Sequence, residues 1–387
     1  MTAPAQRVRV VRTREELVAL EQAWSALAVR AGAPIALTPE WAVPWFEAFG
    51  EGAEPRAVVV EDLDGALRGL LPLAIRRVRV GGIAVRVLEF AGDAVACGDH
   101  FAVLAASGDF EAVWSELAPL VPACAAEADL VRLGSLDPGE SERRLSALAA
   151  RAAWRPAPAR DDVAPRLALA GGWEAIERQL SAKFRQQLRR NARHFAAAHP
   201  AQTIVVNDER TPLDEAMTNL ERLHASLWRT HGTNGAFADP ILRAWTRRFV
   251  ARSAERGWLR LYQLFAGPAP VAALLACHRE GVAYYYQSGW DPRYAEWSVG
   301  EMLVAHSIRE AAREGLHTYD FLRGSEGYKT RYPTEVRPLL TRAWTVSARG
   351  RVAVASARVQ AGVSRAAVRW RGRVFRVLRK VAQRGAN

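Results

Sequence analysis

Cysteine and long apolar runs are both scarce in this chain of 387 residues. The three cysteines, Cys97, Cys124 and Cys277, are odd in number and widely spaced, so they indicate neither a disulfide framework nor a zinc site. No run approaches the roughly 18 apolar residues that a membrane-spanning helix needs. The N-terminal residues include no apolar signal segment. We therefore expect a cytoplasmic protein without a metal centre.

Lysine is nearly absent, because 50 of the 53 basic side chains are arginine and the lysines are Lys183, Lys329 and Lys380. A net charge of +12 is typical of a nucleic-acid-binding protein. The charge is unevenly distributed, however. Residues 349–387 contain ten arginines, Lys380 and no acidic residue, whereas residues 1–348 contain 42 basic and 41 acidic side chains. The excess positive charge is therefore confined to a C-terminal tail.

Hydrophobic patterning predicts an α+β fold with the same order of elements in both halves. In each half, helices precede three antiparallel strands, which a helix and a further strand follow. Leu67–Val78 is predicted as one strand of a hairpin. Arg155–Pro165 contains three prolines and is expected to be the crossing segment between the two halves. These boundaries divide the chain into residues 1–160, residues 161–348 and the basic tail, 349–387.

A second helix is predicted to begin in the sequence TPEW at residues 38–41, where threonine caps the helix and proline takes its first position. Trp41, Trp45 and Phe49 follow at helical spacing and share one face. Such a stripe is typical of a packed core, to which we assign these rings.

The sequence Ser298-Val299-Gly300 opens an amphipathic helix after an irregular loop. A glycine at a helix start lets backbone N–H groups face an anion, and the helix dipole adds to the attraction. An ordinary N-cap serine with a nearby glycine explains the same spacing, and spacing alone favours it.

Asp320 lies inside the short strand predicted at Thr318–Leu322. An unpaired buried carboxylate is costly, so Asp320 needs a partner, and the candidates are Lys329 and Arg331. Such a pair either holds the strand to the following loop or lines a cleft, and both roles can hold at once.

Four segments together resemble a known family. They are TPEW, the helix pattern Lys183-x-Arg185-x-x-x-Arg189-Arg190, the run Tyr284-Tyr285-Tyr286, and YDFLRGSEGYKTRY at residues 319–332. The combination is similar to the CelD-type acetyltransferase domain of the GNAT superfamily, found in bacterial cellulose and exopolysaccharide loci. That group is related to the Fem-type peptidyltransferases, which have two GNAT units in tandem. The detailed resemblance covers about residues 170–332.

The resemblance implies two tandem GNAT-like units, each a mixed central sheet flanked by helices. In such enzymes a splayed pair of strands admits an acyl thioester, whose carbonyl bonds to backbone N–H, and the acyl group passes directly to an amine. The residues that would cradle the pyrophosphate of acyl-CoA are Ser298, Val299, Gly300 and Glu301. The usual Gln/Arg-x-x-Gly-x-Gly/Ala loop keeps only one matching glycine here.

The resemblance also assigns catalytic residues. Asp320 and Lys329 would line the acceptor site, and Tyr328 would protonate the leaving thiolate. A packed tyrosine with a hydrogen-bonded hydroxyl is the alternative for Tyr328.

Further substrate contacts are expected from a set of basic and aromatic residues, Lys183, Arg185, Trp228, Tyr286 and Arg323. The basic helix would bind a phosphate-rich donor or an anionic glycan, although a solvated basic face is the commoner explanation of such a run. Trp228, with His231 nearby, would give a sugar acceptor a ring on which to stack. A histidine that follows a helix is more often a cap or exposed.

Residues 358–384 of the tail divide on a helical wheel into a basic side and an apolar side. A basic amphipathic helix of this kind fits an anionic membrane surface. Acceptor nucleic acid such as tRNA is the rival partner, and docking onto the protein's own body is a third reading. We rank the membrane first.

The predicted function is transfer of an acyl group from acyl-CoA, with acetyl-CoA the first choice, to the amine of a small molecule or glycan. The setting would be exopolysaccharide or cell-envelope biosynthesis. The alternatives are a Fem-type transferase that uses aminoacyl-tRNA and a GNAT-like protein that only binds. The sequence has no Gly-x-Ser-x-Gly elbow and no cysteine with a credible histidine partner, which disfavours nucleophilic hydrolysis.

Overall fold

The first half of the chain alternates short helices and strands in the computed structural model, which describes residues 7–207 and 211–361. Its helices are α1 (Arg14–Ala19), α2 (Glu21–Arg30), α3 (Pro39–Phe49), α4 (Phe110–Leu117), α5 (Val121–Ala126) and α6 (Glu140–Arg151). Its strands are β1 (Arg7–Val11), β2 (Ala53–Pro55), β3 (Ala57–Glu61), β4 (Leu67–Leu71), β5 (Leu73–Val80), β6 (Ile83–Phe90), β7 (Leu104–Ala105), β8 (Leu130–Leu136) and β9 (Arg155–Pro156).

The second half has longer helices around longer strands. Its helices are α7 (Gly172–Gln179), α8 (Ala182–Ala198), α9 (Leu213–Arg229), α10 (Pro240–Glu255), α11 (Val299–Arg313) and α12 (348–361). Its strands are β10 (Asp162–Ala168), β11 (Thr203–Val206), β12 (Leu259–Ala266), β13 (Ala269–Arg279), β14 (Val282–Trp290), β15 (Thr318–Asp320) and β16 (Glu335–Thr345).

The two halves repeat one topological unit. In the first, β5 and β6 are antiparallel, and the chain returns through α4 and α5 to β8, which is parallel to β6. In the second, β13 and β14 are antiparallel, and α11 leads to β15, which is parallel to β14. The predicted α+β fold with a repeated order of elements is therefore confirmed.

A single sheet of 12 strands joins the halves within the described residues, in the order β11-β12-β13-β14-β15-β10-β16-β8-β6-β5-β2, with β9 beside β16. A smaller sheet has the order β1-β3-β4-β7. The strands at the junction are β10 and β16, which pair with each other and with strands of opposite halves. The large sheet therefore continues from one half into the other, and neither half ends in a free edge strand at the junction.

Proline bears on two of the predicted segments, and the prediction of one strand over Leu67–Val78 is wrong. The crossing segment Arg155–Pro165 contains β9 and the start of β10. Pro165 keeps its place in β10 through its carbonyl, which accepts the N–H of Phe321 at 3.0 Å. Conversely, Leu67–Val78 is two strands in different sheets, since Pro72 lacks the N–H that a continuous ladder requires.

The TPEW sequence begins α3 and packs the first half against the second. Trp41 and Trp45 are buried, as the helical stripe predicted. The Trp41 ring lies 4.6 Å from the ring of Trp245, 4.9 Å from that of Phe249 and 5.6 Å from that of Tyr286. The Trp41 carbonyl also accepts a hydrogen bond from Nε1 of Trp245 at 3.0 Å. One residue of the first half thus supports both α10 and β14.

The first part of the basic tail is helical and packs on the hairpin of β5 and β6. Ala353 of α12 is buried beside Val85 and Val87, and Ser356 donates a hydrogen bond to the carbonyl of Gly81 at 2.8 Å. Most of the basic amphipathic helix predicted at residues 358–384 lies outside the described residues. Among the described residues, no helix is long and apolar enough to cross a membrane.

Candidate active site

Strands β14 and β15 separate after three paired residues, the last pair being Tyr284 and Asp320. Beyond this point the chain follows β10, because Phe321 donates to the carbonyl of Pro165 at 3.0 Å and Gly324 to that of Val163 at 2.9 Å. In the part of the chain that the structure describes, no strand consequently neighbours the edge of β14 at residues 285–290 on the β15 side. It faces a cleft instead.

Asp320 forms the turn at which the strands separate. Its side chain is fully buried, and Oδ1 accepts the N–H of Leu322 at 2.8 Å. Oδ2 lies 2.6 Å from Nε of Arg166 and 3.1 Å from Nε2 of His100. Leu322 has φ +53°, a left-handed conformation that the turn imposes.

The predicted pairing of Asp320 with Lys329 or Arg331 is therefore wrong. Arg166 lies directly opposite Asp320 in the antiparallel register, which places its guanidinium beside the carboxylate. Nζ of Lys329 instead donates to the carbonyl of Arg323 at 2.7 Å. Arg331 pairs with Glu301.

His100 lies between two carboxylates, one facing each ring nitrogen. Its Nδ1 lies 2.6 Å from Oδ1 of Asp137, opposite the contact with Asp320. Burial disfavours the charged imidazole, but the interactions with Asp137 and Asp320 outweigh it and raise the pKa of His100 to about 9. Burial also opposes ionisation of Asp320, yet His100 and Arg166 hold the pKa of this carboxyl below its ordinary value.

The cleft consists of two adjoining cavities of about 520 Å³ and 310 Å³. The larger extends to the start of α11, and the smaller extends to Val95, Cys97 and Asp99 of the first half. The residues that line both cavities are Leu227, Trp228, Tyr285, Ser288, Glu326 and Tyr328. Two substrates bound in the separate cavities would meet at this junction. Asp320 lines neither cavity, because its carboxylate is enclosed by its partners.

The start of α11 forms one end of the larger cavity. Ser298, Gly300 and Glu301 line it, whereas the side chain of Val299 is buried in the core. Ser298 has φ +51° and its side chain makes no capping hydrogen bond, so it is not an ordinary N-cap serine. Gly300 is required because a Cβ there would lie 2.8 Å from Cδ1 of Trp290. First-turn amides of a helix are suited to an anion.

Three hydroxyl groups are linked at the junction. Tyr328 donates to the hydroxyl of Tyr285 at 3.2 Å, and that hydroxyl lies 2.6 Å from Oγ of Ser288. Burial raises the pKa of both tyrosines, so both stay protonated at neutral pH. The hydroxyl of Tyr328 is hydrogen-bonded, as expected if Tyr328 is a packed tyrosine. Tyr328 also lines the cleft.

Lys329 and Glu326 form an ion pair in the loop that follows β15. Lys329 is buried, and its Nζ lies 2.9 Å from Oε2 of Glu326, which lines both cavities. A Cβ on Gly324, at φ +117°, would lie 2.4 Å from the same oxygen, so only glycine leaves room for this carboxylate. Glu326 was not predicted from the sequence, although Gly324 two residues before it in the motif is a signal of close packing.

The remaining predicted substrate residues divide into two groups. Trp228, Tyr286 and Arg323 line the smaller cavity, where Nε of Arg323 is held by Oδ1 of Asp99 at 2.7 Å. Lys183 and Arg185 line neither cavity. Arg185 donates to the carbonyl of Glu177 at the end of α7, where free carbonyls attract cations, and Lys183 is exposed. Their roles in binding stay predictions.

The part of the chain that forms most of the cleft is similar to a known protein family. Residues 182–330 match the acetyltransferase (GNAT) domain family. The matched residues extend from α8 to Thr330 and include the separated strands and the start of α11. No curated protein matches the sequence.

Solved structures with the same fold span almost the whole chain. The crystal structure of FemX has a TM-score of 0.60 and 10% identity, covering 88% of this chain and 97% of FemX. The C-terminal domain (DUF2156) of a predicted lysylphosphatidylglycerol synthetase from Agrobacterium fabrum has a TM-score of 0.52 and 14% identity, covering 90% and 97%. A conserved protein of unknown function from Bacteroides thetaiotaomicron has a TM-score of 0.52 and 12% identity, covering 88% and 100%. At these identities the likeness shows the fold alone.

Among the described residues, no group of three or more His, Cys, Asp or Glu side chains is placed to hold a metal ion.

The buried His100 predicts that stability depends on pH. Its pKa is about 9 in the folded chain against 6.5 as the ordinary value, so the folded state binds this proton more tightly than the unfolded state does. The stabilisation is complete below pH 6.5 and is lost as the pH rises through 9, with a total of about 3 kcal/mol. Urea denaturation between pH 6 and pH 10 should show this decrease.

The matched variants are His100→Gln and His317→Gln, because His317 is exposed. The first should remove most of the pH dependence, although it also lowers stability at every pH. The second should leave the pH dependence intact. An unchanged slope in His100→Gln would contradict the assignment.

Proposed function

We propose that the protein transfers an acyl group from acyl-CoA, with acetyl-CoA the first donor to test, to an amine. The observation that carries this proposal is the open edge of β14 at residues 285–290, which faces a cleft inside the GNAT domain. A thioester carbonyl bound to backbone N–H groups at this edge would be polarised for attack. The two cavities meet only at the junction, so a donor and an acceptor would occupy separate parts of the cleft.

The larger cavity is the proposed donor site. Its far end is the start of α11, where the amides of Val299, Gly300 and Glu301 would bind the pyrophosphate. The negative charge of Glu301 opposes such a ligand, but Arg331 pairs with Glu301 and compensates for that charge. Gln187 of α8 lines the same cavity and supplies a neutral amide.

The smaller cavity is the proposed acceptor site. Trp228 is 41% exposed and offers an indole ring on which a sugar can stack. Glu326 is the carboxylate that lines both cavities, so we propose that it accepts the proton that the attacking ammonium must lose. Lys329 also lines the smaller cavity and would hold Glu326 in place through their ion pair, and Asp320 would position the separated strands.

An amino sugar or another glycan amine is the proposed acceptor class. The resemblance to the CelD-type group supports exopolysaccharide or envelope biosynthesis as the setting. A Fem-type reaction with aminoacyl-tRNA is the second candidate, favoured by the fold similarity to FemX. Its affinity for the donor would fall steeply with salt, as nucleic-acid binding does. A protein that only binds is the third candidate, and it would keep its biological activity in Glu326→Gln, which removes the proposed base.

Calorimetric titration with acetyl-CoA and longer acyl-CoAs tests the donor. We expect binding to the wild-type chain and about tenfold weaker binding to Gly300→Ala, a loss of about 1.4 kcal/mol, because the added Cβ displaces Trp290 at the helix start. Gly327→Ala is the matched control, since a Cβ at Gly327 meets no atom within 4 Å. Binding of no thioester by the wild-type chain would overturn the proposal.

We also propose that residues 358–384 bind an anionic membrane surface. Each basic residue near such a surface contributes about 1 kcal/mol, and residues 362–387 carry seven arginines and Lys380. Removal of residues 362–387 should abolish co-sedimentation with phosphatidylglycerol vesicles and spare acetyl-CoA binding. The chain is best cut after Ala361, because α12 packs on β5 and β6. Unchanged vesicle binding by the truncated chain would contradict the membrane assignment.

A further inference from the structure

The linked hydroxyls of Tyr328, Tyr285 and Ser288 have one proton that the chain of hydrogen bonds does not use. Each hydroxyl has a single proton. Tyr328 donates its proton to Tyr285 at 3.2 Å. Oγ of Ser288 lies 2.6 Å from the Tyr285 hydroxyl, and either oxygen can donate at this distance. When Tyr285 passes its own proton to Ser288, the three hydroxyls form one directed chain, and the proton of Ser288 is the one left for a group in the cleft.

His224 of α9 holds the backbone at Ser288 through a hydrogen bond. Nδ1 of His224 lies 2.9 Å from the carbonyl of Ser288, and its Nε2 accepts the N–H of Ala236 at 3.1 Å. Because Nε2 accepts, His224 is neutral with its proton on Nδ1, and burial lowers the pKa of this imidazole. A Cβ on Gly289 would lie 2.1 Å from the backbone nitrogen of His224, so α9 and β14 are in close contact there. The position of Ser288 relative to the cleft is thus tightly determined.

Ser288 also occupies the place where the reacting atoms would meet. It belongs to the open edge of β14 and lines both cavities. Tyr328, the acid that the family resemblance implies, donates its proton to the Tyr285 hydroxyl. In this arrangement the Tyr328 proton is not free for a leaving thiolate.

We propose that the Ser288 hydroxyl is the catalytic acid that protonates the leaving thiolate, and that Tyr285 and Tyr328 resupply its proton. This inference rests on the proposed acyl transfer. The ammonium acceptor first loses one proton to Glu326, which releases it to solvent. The amine nitrogen then forms a bond to the thioester carbon, the C–S bond breaks, and its electron pair goes to sulfur.

Sulfur takes the proton of Ser288 as the C–S bond breaks. Ser288 recovers a proton from Tyr285, and Tyr285 recovers one from Tyr328. Tyr328 faces the cleft and takes up the second proton that leaves the amine nitrogen. The products are an amide and a free thiol, and each residue returns to its starting state.

Steady-state kinetics of Ser288→Ala with acetyl-CoA and glucosamine test the proposal through release of the thiol. We expect kcat to fall about 100-fold, within the range for loss of an acid, while KM for acetyl-CoA is unchanged. Ser288→Thr keeps a hydroxyl and should stay within about tenfold of the wild type. Ser325→Ala, an exposed serine in the neighbouring loop, is the control and should match the wild type.

A second donor separates an acid from a residue that only shapes the cleft. The thiolate of an S-(4-nitrophenyl) thioester is a weak base that leaves without a proton, so Ser288→Ala should lose less than about tenfold with it. Equal losses with both donors would overturn the assignment to Ser288 alone. A wild-type chain that releases thiol from neither donor would contradict the proposed acyl transfer itself.

Discussion

The open cleft depends on one buried carboxylate. Asp320 is the last residue of β15 that pairs with β14, and its Oδ1 accepts the N–H of Leu322, where the backbone turns while the chain stays beside β10. A buried carboxylate without partners would be costly, and here Arg166 and the cationic His100 compensate for its charge. The edge at residues 285–290 begins where this turn ends the pairing. Asp320 itself lines neither cavity.

The first half supplies one wall of the cleft rather than a second cleft of the same kind. Its segment from Gly92 to His100 includes four residues with positive φ, at Gly92, Ala94, Cys97 and His100. Such conformations cost free energy outside glycine, and residues of both halves hold them. Tyr286 and Arg323 of the second half bind the segment, because Tyr286 donates to the carbonyl of Ala96 at 3.1 Å and Arg323 binds Asp99. The two units thus contribute differently to the cleft, since the second has the open edge of β14 and the first closes one side.

The sequence was sufficient for the order of elements, because the periods of helices and strands are local properties. It also identified the start of α11, Trp228 and Tyr328, whose chemistry is local. It did not identify the partners of Asp320, since Arg166 is 154 residues away and their contact depends on how β10 enters the sheet. Ser288 was missed for a similar reason. Its importance comes from the hydrogen bonds of two tyrosines and from a strand that ends early, neither of which a pattern in one segment encodes.

The proposed donor site requires the open edge of β14 to bind the thioester of an acyl donor. Hydrogen–deuterium exchange of the full chain, measured with and without saturating acetyl-CoA, is the sharpest test of this binding. We expect slower exchange of the amides at residues 285–290 and at 299–301, because both sets would bind the ligand. We expect no change at residues 203–206, in the edge strand β11 at one end of the large sheet. Bound acetyl-CoA that leaves exchange at residues 285–290 unchanged would contradict the claim.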